Sequence, residues 1–263
     1  MSIPVVISIA GSDCSAGAGL QADLKTFSAL GCHGLTAATC VVAETPLEVR
    51  SIHPVPDEIF RDQLEILLES YPIAAIKTGL LCSPGQIVIV CDLLKGRDIP
   101  LVVDPVMVAS TGDALQQENA LTALKKLLSL ASVITPNLPE AGSLLGTEIH
   151  SKEDQTAAAP ALSKSYHTAC YLKGGHLSNS PELQDLLVID GQEEAFLAPF
   201  QNVPQTHGTG CTLAAAIATG LAKKNSISES CKTAHQFVQE AIRNSHRWLS
   251  PNSGEPIMHL DQS

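Results

Sequence analysis

Pro4-Val5-Val6-Ile7-Ser8-Ile9-Ala10 leads into Gly11-Ser12-Asp13-Cys14-Ser15-Ala16-Gly17-Ala18-Gly19, and this into Leu20-Gln21-Ala22-Asp23-Leu24-Lys25-Thr26-Phe27. The first segment is short, apolar and rich in β-branched residues, which predicts a buried strand over Pro4–Ala10. In the third, Leu20, Leu24 and Phe27 recur at helical spacing and give one buried stripe. The same alternation continues outward from this unit. Strands are expected at Leu35–Ala43, Ala74–Thr78, Leu101–Val103, Ser132–Thr135, Thr168–Lys173 and Leu186–Ile189, with helical segments between them, such as the one carrying Phe60, Leu64, Leu67 and Leu68. Toward the C-terminus, Thr212–Ala222 and Ile227–Trp248 read as consecutive helices, the second carrying Cys231, Phe237, Val238, Ala241 and Ile242. This predicts an α/β fold with a central, mainly parallel sheet covered on both faces by helices. No linker, low-complexity tract or repeat divides residues 1–263, so one domain is expected, with 44–54 a small flap over one sheet edge.

Composition narrows the function. The 263 residues carry 16 basic and 27 acidic side chains, a net charge of −11, and only 3% are aromatic, so neither the basic footprint nor the stacking platforms of a nucleic-acid binder are present. Apolar stretches such as Leu213 to Ala222 fall short of the roughly 20 residues a membrane span needs, and no basic residue precedes the N-terminal apolar run as a secretory signal requires. The 8 cysteines are scattered without a C-x-x-C pair, which reads as reduced thiols in a cytosolic protein. The histidines show no metal-ligand spacing.

Ligands of open α/β sheets collect beyond the carboxyl ends of the strands, and the sequence places chemistry there. Gly17-x-Gly19 lies too far past Ala10 for a dinucleotide fingerprint, which argues against a nicotinamide enzyme. The loop is either a flexible connection or part of a site toward which Asp23, at the edge of the apolar stripe, would face. Thr206-His207-Gly208-Thr209-Gly210-Cys211 precedes a small-residue helix, so its amides and the helix N-terminus could form an anion hole for a transferring phosphoryl group. A thiol at that terminus would have its thiolate favoured; the plain alternative is a tight turn with an inert cysteine. There is no Gly-Lys dipeptide, hence no P-loop. In Thr135-Pro136-Asn137-Leu138-Pro139-Glu140, Asn137 and Glu140 make a capping box, and the same pair could organise Mg²⁺ through water beside nucleotide phosphates. Lys173-Gly174-Gly175-His176 puts an ammonium at the ligand edge, suited to phosphate or simply solvated. Asp104, in Val103-Asp104-Pro105-Val106-Met107, serves chemistry or caps a turn.

In their order along nearly the whole chain, from Ala10–Phe27 to the tail Gly254-Glu255-Pro256-Ile257-Met258-His259, these motifs resemble the hydroxymethylpyrimidine/phosphomethylpyrimidine kinases of thiamine biosynthesis, within the ribokinase-like superfamily. The resemblance implies a three-layer sandwich, a homodimer, and two ATP-dependent phosphorylations, first of 4-amino-5-hydroxymethyl-2-methylpyrimidine and then of its monophosphate. By position it puts Gly208, Gly210 and Cys211 at the anion hole, with Cys211 where the sugar kinases carry a catalytic aspartate, and gives Lys173 the developing charge. It assigns Asn137 and Glu140 to Mg²⁺ and ATP phosphates, with Thr206 and Thr209 beside them. Gly11, Asp23, Glu44, Leu80 and Val106 would surround the pyrimidine.

Two positions depart from the family pattern. Glu44 stands where glutamine is usual, and a glutamate can only accept hydrogen bonds unless it is protonated or the ring supplies two donors. Leu80 replaces a usual methionine at similar volume. A pyridoxal or pyridoxine kinase on the same fold is the alternative enzyme, and a non-catalytic pyrimidine sensor the alternative of another class.

Overall fold

Neighbouring residues of the buried strands enter two different cores. Ile7, Ile76, Val103, Ile134 and Cys170 pack on one side, Val6, Ala75, Val102, Val133 and Tyr171 on the other. Side chains alternate across a strand, so apolar runs without polar interruption require cover on both faces. The computed structural model describes residues 2–107, 118–175 and 182–263. In chain order its elements are β1 (Val5–Asp13), α1 (Gly19–Ala29), β2 (His33–Thr45), β3 (Glu48–Pro54), α2 (Asp57–Ser70), β4 (Ile73–Thr78), α3 (Pro84–Leu94), β5 (Leu101–Val103), α4 (Glu118–Leu128), β6 (Val133–Ile134), α5 (Leu138–Leu145), α6 (Lys152–Tyr166), β7 (Ala169–Leu172), β8 (Glu182–Ile189), β9 (Gln192–Pro199), α7 (Thr209–Ala222), α8 (Ile227–Arg243), β10 (His246–Leu249) and β11 (Pro256–His259).

The main sheet has the order β3-β2-β1-β4-β5-β6-β7-β8-β9. Strands β2, β1, β4, β5, β6 and β7 run parallel, while β3, β8 and β9 are antiparallel additions at the edges. Helices α2 to α6 pack in one core and α1, α7 and α8 in the other, giving three layers. The order reverses between β1 and β4, which opens a crevice at the carboxyl ends of the parallel strands. Among the described residues no helix is long and apolar enough to cross a membrane.

Several expectations need correction. Strand β1 continues through Gly11-Ser12-Asp13 because a bulge between Ala10 and Ser12 lets it keep pairing with β2. Within the 44–54 segment expected as a small flap, residues 48–54 form an antiparallel edge strand on β2, its polar side chains tolerated because that strand is largely exposed. The last helix stops at Arg243, and Trp248 lies instead in β10, paired with β11 through a turn that Gly254 closes at φ +72°. Leu24 sits on the outer side of α1, 38% exposed, while Leu20 and Phe27 are buried. Strand β9 was not anticipated, although Asp190-Gly191, both at positive φ, is a hairpin signal visible in the sequence.

Candidate active site

Asp13 ends β1 and gathers the glycine loop. Its Oδ1 accepts from the Ser15 amide at 2.7 Å, and its Oδ2 accepts from the amides of Gly17 (3.0 Å) and Ala18 (2.8 Å) and from His207 Nε2 (3.0 Å). Burial opposes ionisation, yet the hydrogen bonds from His207, Ser15 and Ala18 outweigh it and hold the carboxyl well below the usual range. Gly19 has φ +55°, and a Cβ there would lie 2.2 Å from the Gly11 carbonyl oxygen, so the loop is folded against its own strand.

The turn before α7 stands against this loop. Gly208 has φ +82°, a Cβ on it would lie 1.9 Å from the Gly17 carbonyl oxygen, and the Thr209 hydroxyl donates to Thr206 O at 2.8 Å. Across the turn, a Cβ at Gly210 would meet Lys173 Nζ at 3.1 Å. That ammonium lies 2.8 Å from Asp104 Oδ1 and 3.9 Å from Glu140 Oε2. Lys173 is largely enclosed, its side chain 16% exposed, and is engaged by two acids: desolvation disfavours its charge, but Asp104 and Glu140 raise its pKa above the ordinary value. Thr135 donates to Asp104 at 3.0 Å and fixes the acid.

Asn137 and Glu140 do form the capping box, Asn137 Oδ1 accepting from the Glu140 amide at 2.8 Å and Glu140 Oε2 from the Asn137 amide at 2.7 Å. Burial and the charge of Asp104 push Glu140 up to about 7 against the pull of Lys173. Only one Glu140 oxygen is engaged by the cap, so both roles assigned to this pair are compatible.

These groups border one cavity of about 520 Å³. Gly11, Glu44, Leu80, Val106, Thr206, Gly208, Thr209, Gly210, Cys211, Asn137, Glu140 and Lys173 all line it. Asp23, expected against the ring, does not. It is fully buried in an ion pair with Lys77 (2.8 and 3.0 Å) and accepts a short hydrogen bond from Ser8. A carboxylate on the sheet-facing side of α1 with a lysine opposite it on β4 is consumed by that lysine before any ligand arrives. The expected thiolate at Cys211 is also corrected: burial raises this thiol to about 11, Lys77 offsetting only part, so the group is an SH near neutral pH. His176 lies outside the described residues.

Sequence reasoning left three features unassigned. Lys77 was hidden inside an apolar strand. His207 stands within the Thr206–Cys211 motif, whose spacing points to its glycines and cysteine rather than to the imidazole. Beyond Lys173 the cavity continues between Leu183, Pro199, Phe200, Val203, His235 and Ile242. There Tyr171 donates to Asp185 at 2.9 Å, so His235 Nδ1 must donate to the Tyr171 oxygen at 3.0 Å, and Asp185 accepts from the Gly174 amide at 2.8 Å. This chain of bonds fixes the backbone that follows Lys173. Asp13, Glu44 and His207 bring three potential ligand atoms within 4.8 Å of one another. Asp13 Oδ2 already accepts three hydrogen bonds and His207 Nε2 donates, so the group is a hydrogen-bonded clasp rather than a metal centre.

A sequence profile described as phosphomethylpyrimidine kinase matches residues 13–255. The chain belongs to that family. Among its relatives, the hydroxymethylpyrimidine/phosphomethylpyrimidine kinase of Haemophilus influenzae is 43% identical over 92% of this chain and 91% of its own length. The protein of the same name from Streptomyces coelicolor is 42% identical over 91% and 88%. Of solved structures, the phosphomethylpyrimidine kinase of Clostridium difficile matches with a TM-score of 0.78 and 34% identity, covering 91% of this chain and 99% of that one. The pyridoxal kinase of Staphylococcus aureus, in complex with AMP-PCP and pyridoxal, matches with a TM-score of 0.88 and 34% identity over 100% and 94%. This member of the phosphomethylpyrimidine kinase family is a phosphotransferase with a ribokinase-like fold.

Proposed function

We propose that this chain transfers the γ-phosphoryl group of ATP to the hydroxymethyl group of 4-amino-5-hydroxymethyl-2-methylpyrimidine and then to the resulting monophosphate. The observation that carries the reading is the union, in one cavity, of a small recess bounded by Gly11, Val42, Leu80 and Val106 with the Gly208–Cys211 turn and Lys173. The recess suits a flat heteroaromatic alcohol, the turn aims amides where charge develops, and the ammonium stands beside them. The nucleotide base fits the far end, against Phe200 and Ile242. Phosphoryl transfer asks for alignment and charge screening rather than covalent work.

Glu140, Asn137 and Asp104 supply hard oxygen donors beside the phosphate path, which fits Mg²⁺ holding most of its water. When bound, the ion would neutralise charge on the transferring phosphates. Lys173 screens the equatorial oxygens, and the amides of Gly208, Gly210 and Cys211 hold them in line with the acceptor, that of Thr209 being bonded to Thr206 O. Cys211 contributes a neutral thiol. Cys211→Ala is expected to lower turnover about a hundredfold, roughly 3 kcal/mol of barrier, with a much smaller change in ATP affinity. Single-turnover ADP formation beside a nucleotide titration checks this, and an unchanged turnover number removes the thiol from the reaction.

Glu44 reads the ring edge in this proposal. Burial raises its pKa, Asp13's charge adds to that, and His207 offsets part. The protonated carboxyl donates and accepts as a glutamine amide does. As pH rises through that raised pKa the donor is lost, so KM for the pyrimidine is expected to climb, whereas Glu44→Gln keeps its donor and gives a flat profile. Parallel flat profiles for both proteins would count against the assignment.

The likeness to a pyridoxal kinase supports pyridoxal phosphorylation as a second reading. ADP release with the pyrimidine alcohol, its monophosphate and pyridoxal separates the possibilities: turnover of the monophosphate supports the pyrimidine reading, turnover of pyridoxal alone the other, and no ADP with any acceptor a sensor. The proposal extends to a homodimer in the cytoplasm. Light scattering of the purified chain tests the first and fractionation the second.

A further inference from the structure

We infer that His207 is the specificity-determining residue that admits the phosphorylated acceptor, by donating to the phosphomonoester carried into the second round. The inference rests on the two-step pyrimidine reading above.

The second acceptor differs from the first mainly in charge. A phosphomonoester brings about −1.5 to −2 at neutral pH and must lie beside a γ-phosphoryl group that is itself anionic. The acceptor half therefore needs a cation that the first step does not. Its lining from β1, β2 and the loops after β4 and β5 includes Gly11, Val42, Glu44, Leu80, Asp104 and Val106, whose two ionisable side chains are both acids. Lys173 is already bonded to Asp104 and stands at the transfer point. His235 is bound to Tyr171 at the opposite end and packs on Phe196, ring centroids 5.5 Å apart. Among the described residues that line the cavity, His207 is the remaining side chain able to carry positive charge at the acceptor end.

The geometry equips it for this. Its Nε2 donates to Asp13 at 3.0 Å, which orients the ring, and Nδ1 has no hydrogen-bond partner among the described residues. Asp13 on β1 and Glu44 on β2 both face the imidazole, with His259 of β11 close by. Asp13 holds Nε2 while the pocket is empty, and the open Nδ1 is left for a phosphate oxygen once the monophosphate enters. Only the second substrate calls on that nitrogen.

The experiment compares kcat/KM for the alcohol and for its monophosphate, by ADP release from the full-length chain, in wild type, His207→Gln and His207→Lys. Glutamine keeps a donor toward Asp13 but no charge; lysine restores the charge. The ratio of monophosphate to alcohol efficiency is expected to fall about tenfold or more in His207→Gln, the worth of a charge-assisted hydrogen bond, and to return to within about threefold of wild type in His207→Lys. Equal losses on both acceptors in His207→Gln would overturn the inference and leave His207 a loop clasp. So would a His207→Lys protein that phosphorylates the alcohol without recovering the ratio. Wild type that turns over pyridoxal but neither pyrimidine overturns the underlying reading instead, and the two failures are thereby distinct.

Discussion

Lys173→Met is expected to cut turnover by about two to three orders of magnitude, roughly 3–4 kcal/mol of barrier, while the Kd for nucleotide moves far less. The side chain sits within 2.8 Å of Asp104 and against Gly210 of the anion turn, so it acts where the phosphoryl oxygens become more negative than in bound ATP. Methionine preserves the buried stem and removes only the charge. Glu140 cannot substitute, because it is an acid that Lys173 helps keep ionised. Arginine is not expected to rescue: its planar fork is wider than the space left by Asp104 and Glu140. Pre-steady-state ADP formation compared with a nucleotide titration distinguishes the outcomes, and equal losses in rate and affinity would mean that the lysine only binds ground-state ATP.

The second large effect concerns stability. Lys77→Met or Asp23→Asn alone is expected to destabilise the fold by about 3–5 kcal/mol, since each leaves a fully buried partner uncompensated. Burial disfavours the charge of Lys77, but Asp23 outweighs it and holds the ammonium's pKa above the ordinary value. The double substitution Lys77→Met/Asp23→Asn removes both charges, and most of the loss is expected to return. Urea unfolding of the four proteins gives the coupling energy. Simple addition of the two single losses would show that the pair does not act as a unit. The same residues border Cys211 electrostatically, so the double variant also asks whether a neutral floor supports transfer.

What the sequence could reveal followed from local pattern. The runs are predominantly apolar, Ser8 and Lys77 apart, because both faces of β1, β4, β5, β6 and β7 are covered, and that pattern is readable without coordinates. The motifs around Asp13, Asp104, Asn137 and Lys173 converged because each ends or follows a parallel strand, and parallel strands present their carboxyl ends on one side; the Gly208–Cys211 turn joins them from the start of α7, after β9. The ion pair of Asp23 and Lys77 was not legible, because its members are 54 positions apart and only packing of α1 on the sheet makes them neighbours. Trp248 was misplaced for a similar reason: helical spacing runs through Arg243, and only pairing with Pro256–His259 claims His246–Leu249 for a strand. The far end of the cavity is built from edge strands and one face of α8, whose residues carry no motif.

The contact between Gly208 and Gly17 has a bearing on how variant libraries of this protein are interpreted. A methyl group at position 208 would coincide with a main-chain oxygen, and one at position 19 would meet the Gly11 carbonyl at 2.2 Å, so shape alone forbids every other amino acid at these two sites. Their intolerance in a saturation screen would therefore report steric exclusion between two backbones and carry no information about phosphate. Gly210, whose missing side chain faces Lys173 Nζ rather than main chain, is the position where a tolerated alanine would speak to chemistry.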